Sequence, residues 1–387
     1  MGPRGVAFMA VVVVVAVVAG AVALIRGRNA DGSTVVATTK SCAAGWRGGR
    51  PGEVPLTLRN ASGAVEDFTL FDGHGLVYAQ RRSIAPGTSV HLAPLLPAGS
   101  YTWQCSSPSG TGTLSGTKIV AGSPVAGANP VKLIAADDLI NADYAYRAQV
   151  SAGLATLAAE TDALLGAVTA GSRSSAEAAW LTAHLEFARL GAAYDTFGKR
   201  TDQIDGRPNG LPGGVDDPSF TGFGRLEYGL WNAQPMASLV SVASTLTVDV
   251  RALLGEFPHD LMPQGDPPLR AHEILENALQ FELTGQTDEG SHTNLATARA
   301  EVDATRMVLG VLASLLADVA PARQKVVTGD LDRVTSLLEA QHHPDGSWTA
   351  VPALSVSDRE RLDAAVSQAL EDLAPVPDLL TPPDDNA

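Results

Sequence analysis

The hydrophobic period of the chain changes once, at the segment GSPVAGANP of residues 122–130. Before it, from Cys42 to about Ala121, short runs of β-branched and aromatic residues are separated by Gly, Pro, Asn and Ser. After it, apolar residues recur at intervals of three and four, the period of an amphipathic helix. A Gly- and Pro-rich stretch between two such regions is typical of a linker. The sequence therefore predicts an antiparallel β-sandwich followed by an all-α helical bundle.

The N-terminal segment VAFMAVVVVVAVVAGAVALI, residues 6–25, is uninterrupted and apolar, with Arg4 before it and Arg26 and Arg28 after it. Its length is that of one bilayer-spanning helix. A cleaved signal peptide and a retained signal-anchor are both possible interpretations. The run is longer than a usual signal-peptide core and no small-x-small pattern ends it, which favours a single-pass anchor in the cell membrane with the soluble domains on the extracytoplasmic side.

The formal net charge of the chain is -15 at pH 7, and its hydrophobic content is 45%. The hydrophobic content excludes a wholly disordered chain. The negative charge argues against nucleic acid as a partner and against binding to anionic membrane surfaces, because both repel an acidic protein. An acidic surface is compatible with the handling of cations.

The segment TGFGRLEYGLW, residues 221–231, places Glu227 on the same helix face as Gly224 and Trp231. This face is rich in aromatic residues. An isolated charge in such surroundings is too costly to tolerate, so the carboxylate needs a partner. The partner could be a metal ion or Arg225.

A second candidate segment is RAHEILENALQFELTGQTDEGSHTNL, residues 270–295. His272 and Glu276 stand four residues apart, with Glu273 beside His272. This spacing lets two side chains of one helix reach a common ion. Ordinary surface salt bridging explains the same pattern equally well.

Four stretches of the helical part together resemble the EfeO-type, imelysin-like proteins of bacterial iron uptake. They are WLTAHLEFARLGAAYDTFG (180–198), TGFGRLEYGLW (221–231), HEILENALQFELTG (272–285) and DEGSHTNLATA (288–298). The resemblance covers roughly residues 133–316. It implies an imelysin-like helical domain that captures ferrous or ferric iron and passes it to an iron permease, in an uptake system that also includes a haem peroxidase. The β region, in its order of elements, resembles the cupredoxin-like N-terminal domain of some EfeO proteins.

The family resemblance also implies a metal site, with one departure from the family pattern. The family carries His-x-x-Glu where this chain has Gly224 and Glu227, so one nitrogen ligand is missing. Another histidine could replace it, or the site could consist of oxygen ligands, which suit a hard ferric ion. A scaffold that has lost its metal is the alternative. The candidate metal ligands are Glu227, Asp205, Glu273, Glu276, His272 and His184.

An imelysin-type metallopeptidase is a further alternative. Such an enzyme needs a metal-bound water and a general base. The His-x-x-Glu motif is broken at Gly224 and no His-Glu-x-x-His motif occurs in the chain. The sequence therefore favours a protein that is not an enzyme.

Cys42 and Cys105 are the only cysteines in the chain. In an extracytoplasmic domain, two cysteines on neighbouring strands most often form a disulfide. Alternatively, their thiolates could bind copper or iron, with Glu66 nearby. The spacing of a blue-copper site is absent after Cys105, which argues against electron transfer.

These observations predict five segments along the chain. They are a signal-anchor helix (1–28), a cupredoxin-like β-sandwich (29–121), a linker (122–132), an imelysin-like α-helical domain (133–374) and a disordered, Pro- and Asp-rich tail (375–387).

Overall fold

The computed structural model of the chain describes residues 33–107, 112–132, 134–263 and 265–382. They form two compact units, which divide between residues 132 and 134. The first is built from β-strands and the second from helices, so the predicted order of a β region and a helical region is confirmed. The predicted signal-anchor of residues 6–25 lies outside the described residues.

The described part of the first unit contains short strands joined by turns. They are β1 (Ser33–Thr38), β2 (Ser41–Ala44), β3 (Gly52–Glu53), β4 (Leu56–Asn60), β5 (Glu66–Asp72), β6 (Leu76–Ile84), β7 (Ser89–Leu92), β8 (Leu95–Leu96), β9 (Gly99–Ser106), β10 (Gly112–Leu114), β11 (Lys118–Val120) and β12 (Val131–Lys132).

Two larger sheets and one strand pair are formed from these strands. One sheet has the order β2-β1-β4-β7, the other has the order β10-β9-β5-β6-β12 with β11 also pairing with β9, and β3 pairs with β8. Alternate residues of a strand point to the same face of its sheet, so each sheet can turn one face inward. The inward side chains of both sheets form one core. Leu58 of β4 and Phe68, Leu70 and Trp103 of β5 and β9 are fully buried in it.

Two features of this unit correct the sequence prediction. β1 and β4 pair in parallel, from Ser33 with Leu56 to Ala37 with Asn60, so a purely antiparallel sandwich is wrong. The chain makes β2 and β3 between them, which provides the crossover that a parallel pair requires. In addition, Val131 and Lys132, the end of the predicted linker, pair with β6 and belong to the sheet.

The second unit is built from helices joined by turns and loops. Its helices are α1 (Ala136–Thr169), α2 (Arg173–Arg189), α3 (Tyr194–Phe197), α4 (Lys199–Asp205), α5 (Gly222–Trp231), α6 (Met236–Glu256), α7 (Asp266–Asn277), α8 (Asn294–Val311), α9 (Ala313–Val319), α10 (Pro321–Glu339), α11 (Val356–Leu373) and α12 (Val376–Leu380). A π-helical turn, Ala278–Glu282, extends α7.

The helices bury apolar stripes against one another, as the three-and-four spacing predicts. α1 packs against α2 and α6, and its residues Tyr146, Val150 and Leu154 are fully buried. Within the described residues, the segment Met236–His259 is the one helix long and apolar enough to cross a membrane. Its Leu246 and Val250 are fully buried in the helical core.

The C-terminal tail departs from the prediction of disorder. Val376–Leu380 forms α12, and both Val376 and Leu380 are buried in the helical core. These two residues stand four apart and so share one face of the short helix, while Pro377 lies in its first turn, where proline is tolerated. The prediction of disorder is therefore wrong for this part of the tail.

Candidate functional site

One cavity of about 590 Å³ in the helical unit collects most of the unusual polar side chains. Residues of α2, α4, α5, the π-helical turn, the loop after that turn and α8 line it. Six of its lining residues are acidic: Asp202, Asp205, Glu227, Glu282, Glu289 and Glu301. His184 and Arg207 also line it.

Glu227 enters this cavity from α5. The helix buries Phe223, Leu226 and Leu230, which brings Glu227 inside with an exposure of only 4%. The backbone N–H groups of Glu289 and Ser291 donate to Glu227 Oε1 over 3.1 and 2.9 Å. Burial raises the pKa of Glu227 to about 7, because the ionised form loses its hydration, although the bonds from Ser291 oppose this shift.

His184 and Asp205 face each other across the same cavity. His184 Nε2 lies 3.5 Å from Asp205 Oδ1, and the His184 ring stacks on Trp180 with centroids 4.7 Å apart. Burial acts to lower the pKa of His184, but the Asp205 carboxylate raises it above its usual value, helped by the charge of Glu227. Burial likewise opposes ionisation of Asp205, yet His184 holds the pKa of that carboxyl below its usual range. The pair therefore favours a charged imidazolium beside a carboxylate.

Three further polar residues of the cavity, Glu282, Asn294 and Glu301, were not predicted as site residues. Asn294 Nδ2 donates to Glu282 Oε2 over 2.9 Å, and Thr287 Oγ1 donates to Glu282 Oε1 over 2.8 Å. Burial raises the pKa of Glu282 and raises that of Glu301 well above its usual value, with the charge of Glu282 adding to the effect on Glu301. Buried Asn294 Oδ1 and Glu301 Oε2 have no hydrogen-bond partner among the described residues.

The sequence contained a signal for two of these residues. Asn294, Thr297 and Glu301 recur at helical spacing on α8, a helix whose other buried positions are mostly alanine, leucine and valine. Polar residues on such a face indicate a polar site. Glu282 is different, because the π-helical turn that carries it changes the register of the helix and has no comparable sequence signature.

The other predicted ligands lie on α7 and outside this cavity. His272 Nδ1 is 3.6 Å from Glu276 Oε1, and Glu273 forms an ion pair with Arg270. Glu273 and Glu276 line a different cleft, of about 540 Å³. The structure brings Glu227, Asp205 and His184 together, but does not bring His272, Glu273 or Glu276 to them. For these three residues the salt-bridge interpretation describes what is seen.

Gly224, which stands where the family has histidine, has no room for a side chain. A Cβ atom there would lie 2.7 Å from the carbonyl oxygen of Gly206 and 3.2 Å from the ring of Phe220. Contacts below 3.0 Å require the backbone to move. The missing histidine is thus accompanied by a close approach of the loop after α4 to α5.

The two cysteines of the β unit form a disulfide, with Cα atoms 5.5 Å apart. Cys42 lies on β2 and Cys105 on β9, so the bond joins the two larger sheets rather than neighbouring strands of one sheet. Neither sulfur is a free thiolate. The hypothesis that these cysteines bind copper or iron is therefore wrong. Glu66 lies at the start of β5, opposite Ile84 of β6.

The cavity suits a hard or borderline cation by the chemistry of its donors, which are carboxylate and amide oxygens and one imidazole. His184 Nδ1, Asn294 Oδ1 and Glu301 Oε2 are buried and lack hydrogen-bond partners in the described part of the chain. In the same part, no three His, Cys, Asp or Glu side chains lie close enough together to hold one metal ion. An ion bound there would need further ligands or a rearrangement of the lining side chains.

Comparisons with known proteins agree with the resemblance seen in the sequence. A family model described as imelysin matches residues 142–259. The proteins called iron uptake system component EfeO from Escherichia coli (strain K12) and from Shigella flexneri are each 25% identical to the chain over 343 residues, or 88% of this chain and 89% of the relative. The same component from Escherichia coli O1:K1 is 24% identical over an equal length.

Proposed function

Because the chain is an imelysin-like protein of the EfeO type, we propose that it is the component of an iron uptake system that captures iron outside the cytoplasm. It delivers the iron to a permease, with a haem peroxidase as a further partner in the same system. The observation that carries this proposal is the cavity lined by Glu227, His184 and five further acidic side chains.

The electrostatics of the cavity favour the entry of a cation. Burial disfavours the ionised forms of Glu227, Glu282 and Glu301, and the negative charges of Glu282 and Asp205 add to the cost for Glu301. A bound cation removes both penalties, because it supplies the positive charge that the carboxylates lack. Any hard cation would be stabilised in this way. The argument for iron in particular comes from the relatives, which are named as components of an iron uptake system.

We propose that the capture does not involve hydrolysis. A metallopeptidase would need a metal-bound water and a general base held by a fixed set of ligands. Gly224 stands in place of the histidine of the family motif, and the close approach of Gly206 leaves no space for a larger side chain at that position.

Residues 6–25 would anchor the protein to the membrane beside its permease.

Binding of bare ferrous ion, measured by anaerobic calorimetry on the full chain in mild detergent, tests this proposal. The variant is Glu227→Gln, which keeps an oxygen to accept the N–H groups of Glu289 and Ser291 but removes the charge. We expect its affinity for ferrous ion to fall by roughly tenfold or more, because a charged ligand is lost.

Glu276→Gln is the matched control, since this residue is exposed and lies outside the cavity. We expect it to bind as the wild type does. If the wild type binds iron neither as bare ferrous ion nor in chelated form, the protein is a scaffold that has lost its metal site. If Glu227→Gln and Glu276→Gln bind equally well, iron is held elsewhere.

A further inference from the structure

Arg207 is an unexpected member of a cavity suited to cations. It follows α4 on the loop that approaches α5, it is exposed, and its guanidinium carbon lies 4.4 Å from the centroid of the Phe281 ring. A guanidinium held on an aromatic face is fixed in position without a carboxylate partner. Arg207 forms no ion pair with any carboxylate that the structure describes, although it lines the same cavity as six of them.

The charge of Arg207 opposes the binding of a bare cation. It acts to lower the pKa of Asp205, Glu282 and Glu301, which shows that its field reaches the acidic lining. The same field repels an incoming metal ion. A site that served only to bind naked ions would be stronger without this residue.

The size of the cavity points the same way. Its volume of about 590 Å³ greatly exceeds the roughly 30 Å³ that one water molecule occupies in the liquid. Among the described residues, no three metal-binding side chains converge on one point. An ion that arrives with its own organic ligand would fill the space and supply the ligands that the protein lacks.

Asn294 provides an independent sign of a ligand. This residue is 5% exposed, and its Nδ2 already donates to Glu282 and Thr287. Its Oδ1 is therefore the acceptor end of the amide, and it has no hydrogen-bond partner in the described part of the chain. A buried acceptor without a donor is costly, and a hydroxyl group of a ligand would satisfy it.

We propose that the cavity binds iron as a ternary complex with a small hydroxycarboxylate chelator of the citrate class. The carboxylates of the cavity meet the metal, the guanidinium of Arg207 binds a free carboxylate of the chelator, and Asn294 Oδ1 accepts from a protonated hydroxyl or carboxyl group of the chelator that does not coordinate the metal. Arginine suits this role because its donors match both oxygens of a carboxylate. Arg207 is then the residue that makes the site specific for chelated rather than bare iron. This inference rests on the proposed function and names its substrate class.

Equilibrium dialysis of the full chain with radiolabelled citrate and Ga³⁺, a redox-inert substitute for ferric ion, tests the proposal. We expect the wild type to retain metal and citrate together, and to retain no citrate when the metal is omitted. In Arg207→Gln we expect the affinity for gallium citrate to fall at least about tenfold, because a bidentate charged contact is lost. The affinity of this variant for bare ferrous ion should stay unchanged or increase.

Arg251→Gln is the matched control. Arg251 is 60% exposed and pairs with Asp162 outside the cavity, so its removal should change neither affinity. Circular dichroism of each variant verifies folding. Retention of metal without citrate by the wild type would overturn the proposal, and so would an unchanged or increased affinity of Arg207→Gln for gallium citrate. A wild type that binds neither ferrous ion nor the chelate would instead refute the proposed function itself.

Discussion

Glu227 is held by backbone groups rather than by a basic side chain. Its Oε1 accepts from Glu289 and Ser291, two residues of the loop that follows the π-helical turn. Arg225, a partner considered from the sequence, instead lies near the ring of Tyr228, at 5.9 Å from its centroid. Two neutral donors stabilise a carboxylate less than an ion pair does, so burial dominates and the pKa of Glu227 is raised to about 7.

This raised pKa makes the stability of the metal-free protein depend on pH. The folded-state pKa of Glu227, about 7, lies above the ordinary value of 4.5. The contribution of Glu227 to the free energy of unfolding is therefore fully present below pH 4.5, where its carboxyl is protonated in both states. This contribution is lost as the pH rises to about 7 and the folded protein has to ionise a buried group. Gln at this position does not titrate. We expect Glu227→Gln to gain stability relative to the wild type between these pH values, by at most about 3 kcal/mol.

Urea unfolding of the wild type and of Glu227→Gln at pH 5 and pH 8 measures this difference. Both proteins are kept metal-free by a chelator that removes metal ions. The same comparison for Glu276→Gln should show no comparable change, since that side chain is half exposed. A difference between Glu227→Gln and the wild type that does not vary with pH would show that Glu227 is ionised at no unusual cost.

Individual site residues could be predicted from the sequence only in part. Glu227, Asp205 and His184 do line it, while His272, Glu273 and Glu276 do not. Helical spacing shows which residues share a face, but it does not show which face meets a cavity. Glu282 reaches the cavity from the π-helical turn, whose altered register a regular helical wheel does not reproduce.

At the scale of elements, the cavity depends on a close contact between the end of α4 and the start of α5. Gly222 has φ +74°, and a Cβ atom there would lie 2.1 Å from the carbonyl oxygen of Ile204. Two residues later, a Cβ at Gly224 would meet the carbonyl of Gly206 at 2.7 Å. Two glycines therefore let backbone pack on backbone, which is possible only without side chains. This contact brings Asp205 and Glu227 to one cavity.

Because of this contact, replacing Gly224 by the histidine of the family motif should destabilise the protein. We expect Gly224→His to destabilise the helical unit by about 1–3 kcal/mol, because a side chain must be forced between Gly206 and Phe220. The new imidazole should not increase the affinity for ferrous ion, since the surrounding backbone has to move to admit it. Chemical unfolding and anaerobic calorimetry measure the two effects.

Gly329→Ala is the control for this substitution. Gly329 lies inside α10 and is exposed, and a Cβ atom added there would meet no other atom within 4 Å. Alanine there should stabilise the protein by up to about 1 kcal/mol, because it favours the helix over the unfolded chain. A Gly224→His variant with wild-type stability and tighter iron binding would contradict the steric explanation.

The larger elements were accessible from the sequence because their signals are local. Period and turn residues predicted the strands and the helices on either side of residues 122–130. The parallel pairing of β1 with β4 was not accessible, since it depends on which distant strand completes a sheet. The burial of α12 against the helical core is likewise a long-range effect, which a Pro- and Asp-rich composition conceals.

At the scale of the whole molecule, each of the two compact units has its own hydrophobic core. The disulfide lies within the first unit and joins residues 63 apart in sequence. The candidate iron site lies within the second. Stability of the β unit and binding by the helical unit should therefore respond to different substitutions.

We expect the double variant Cys42→Ser, Cys105→Ser to lower the free energy of unfolding of the β unit by roughly 2–4 kcal/mol. A loop of this length costs the unfolded chain considerable entropy when it is closed, and that constraint is lost in the variant. Scanning calorimetry should show one transition shifted to lower temperature, while the transition of the helical unit and the affinity for ferrous ion stay unchanged. A reductant should shift the wild type in the same way and leave the variant unaffected. If both transitions moved together, the two cores would unfold as one cooperative unit, and the metal site would depend on the disulfide through that cooperativity.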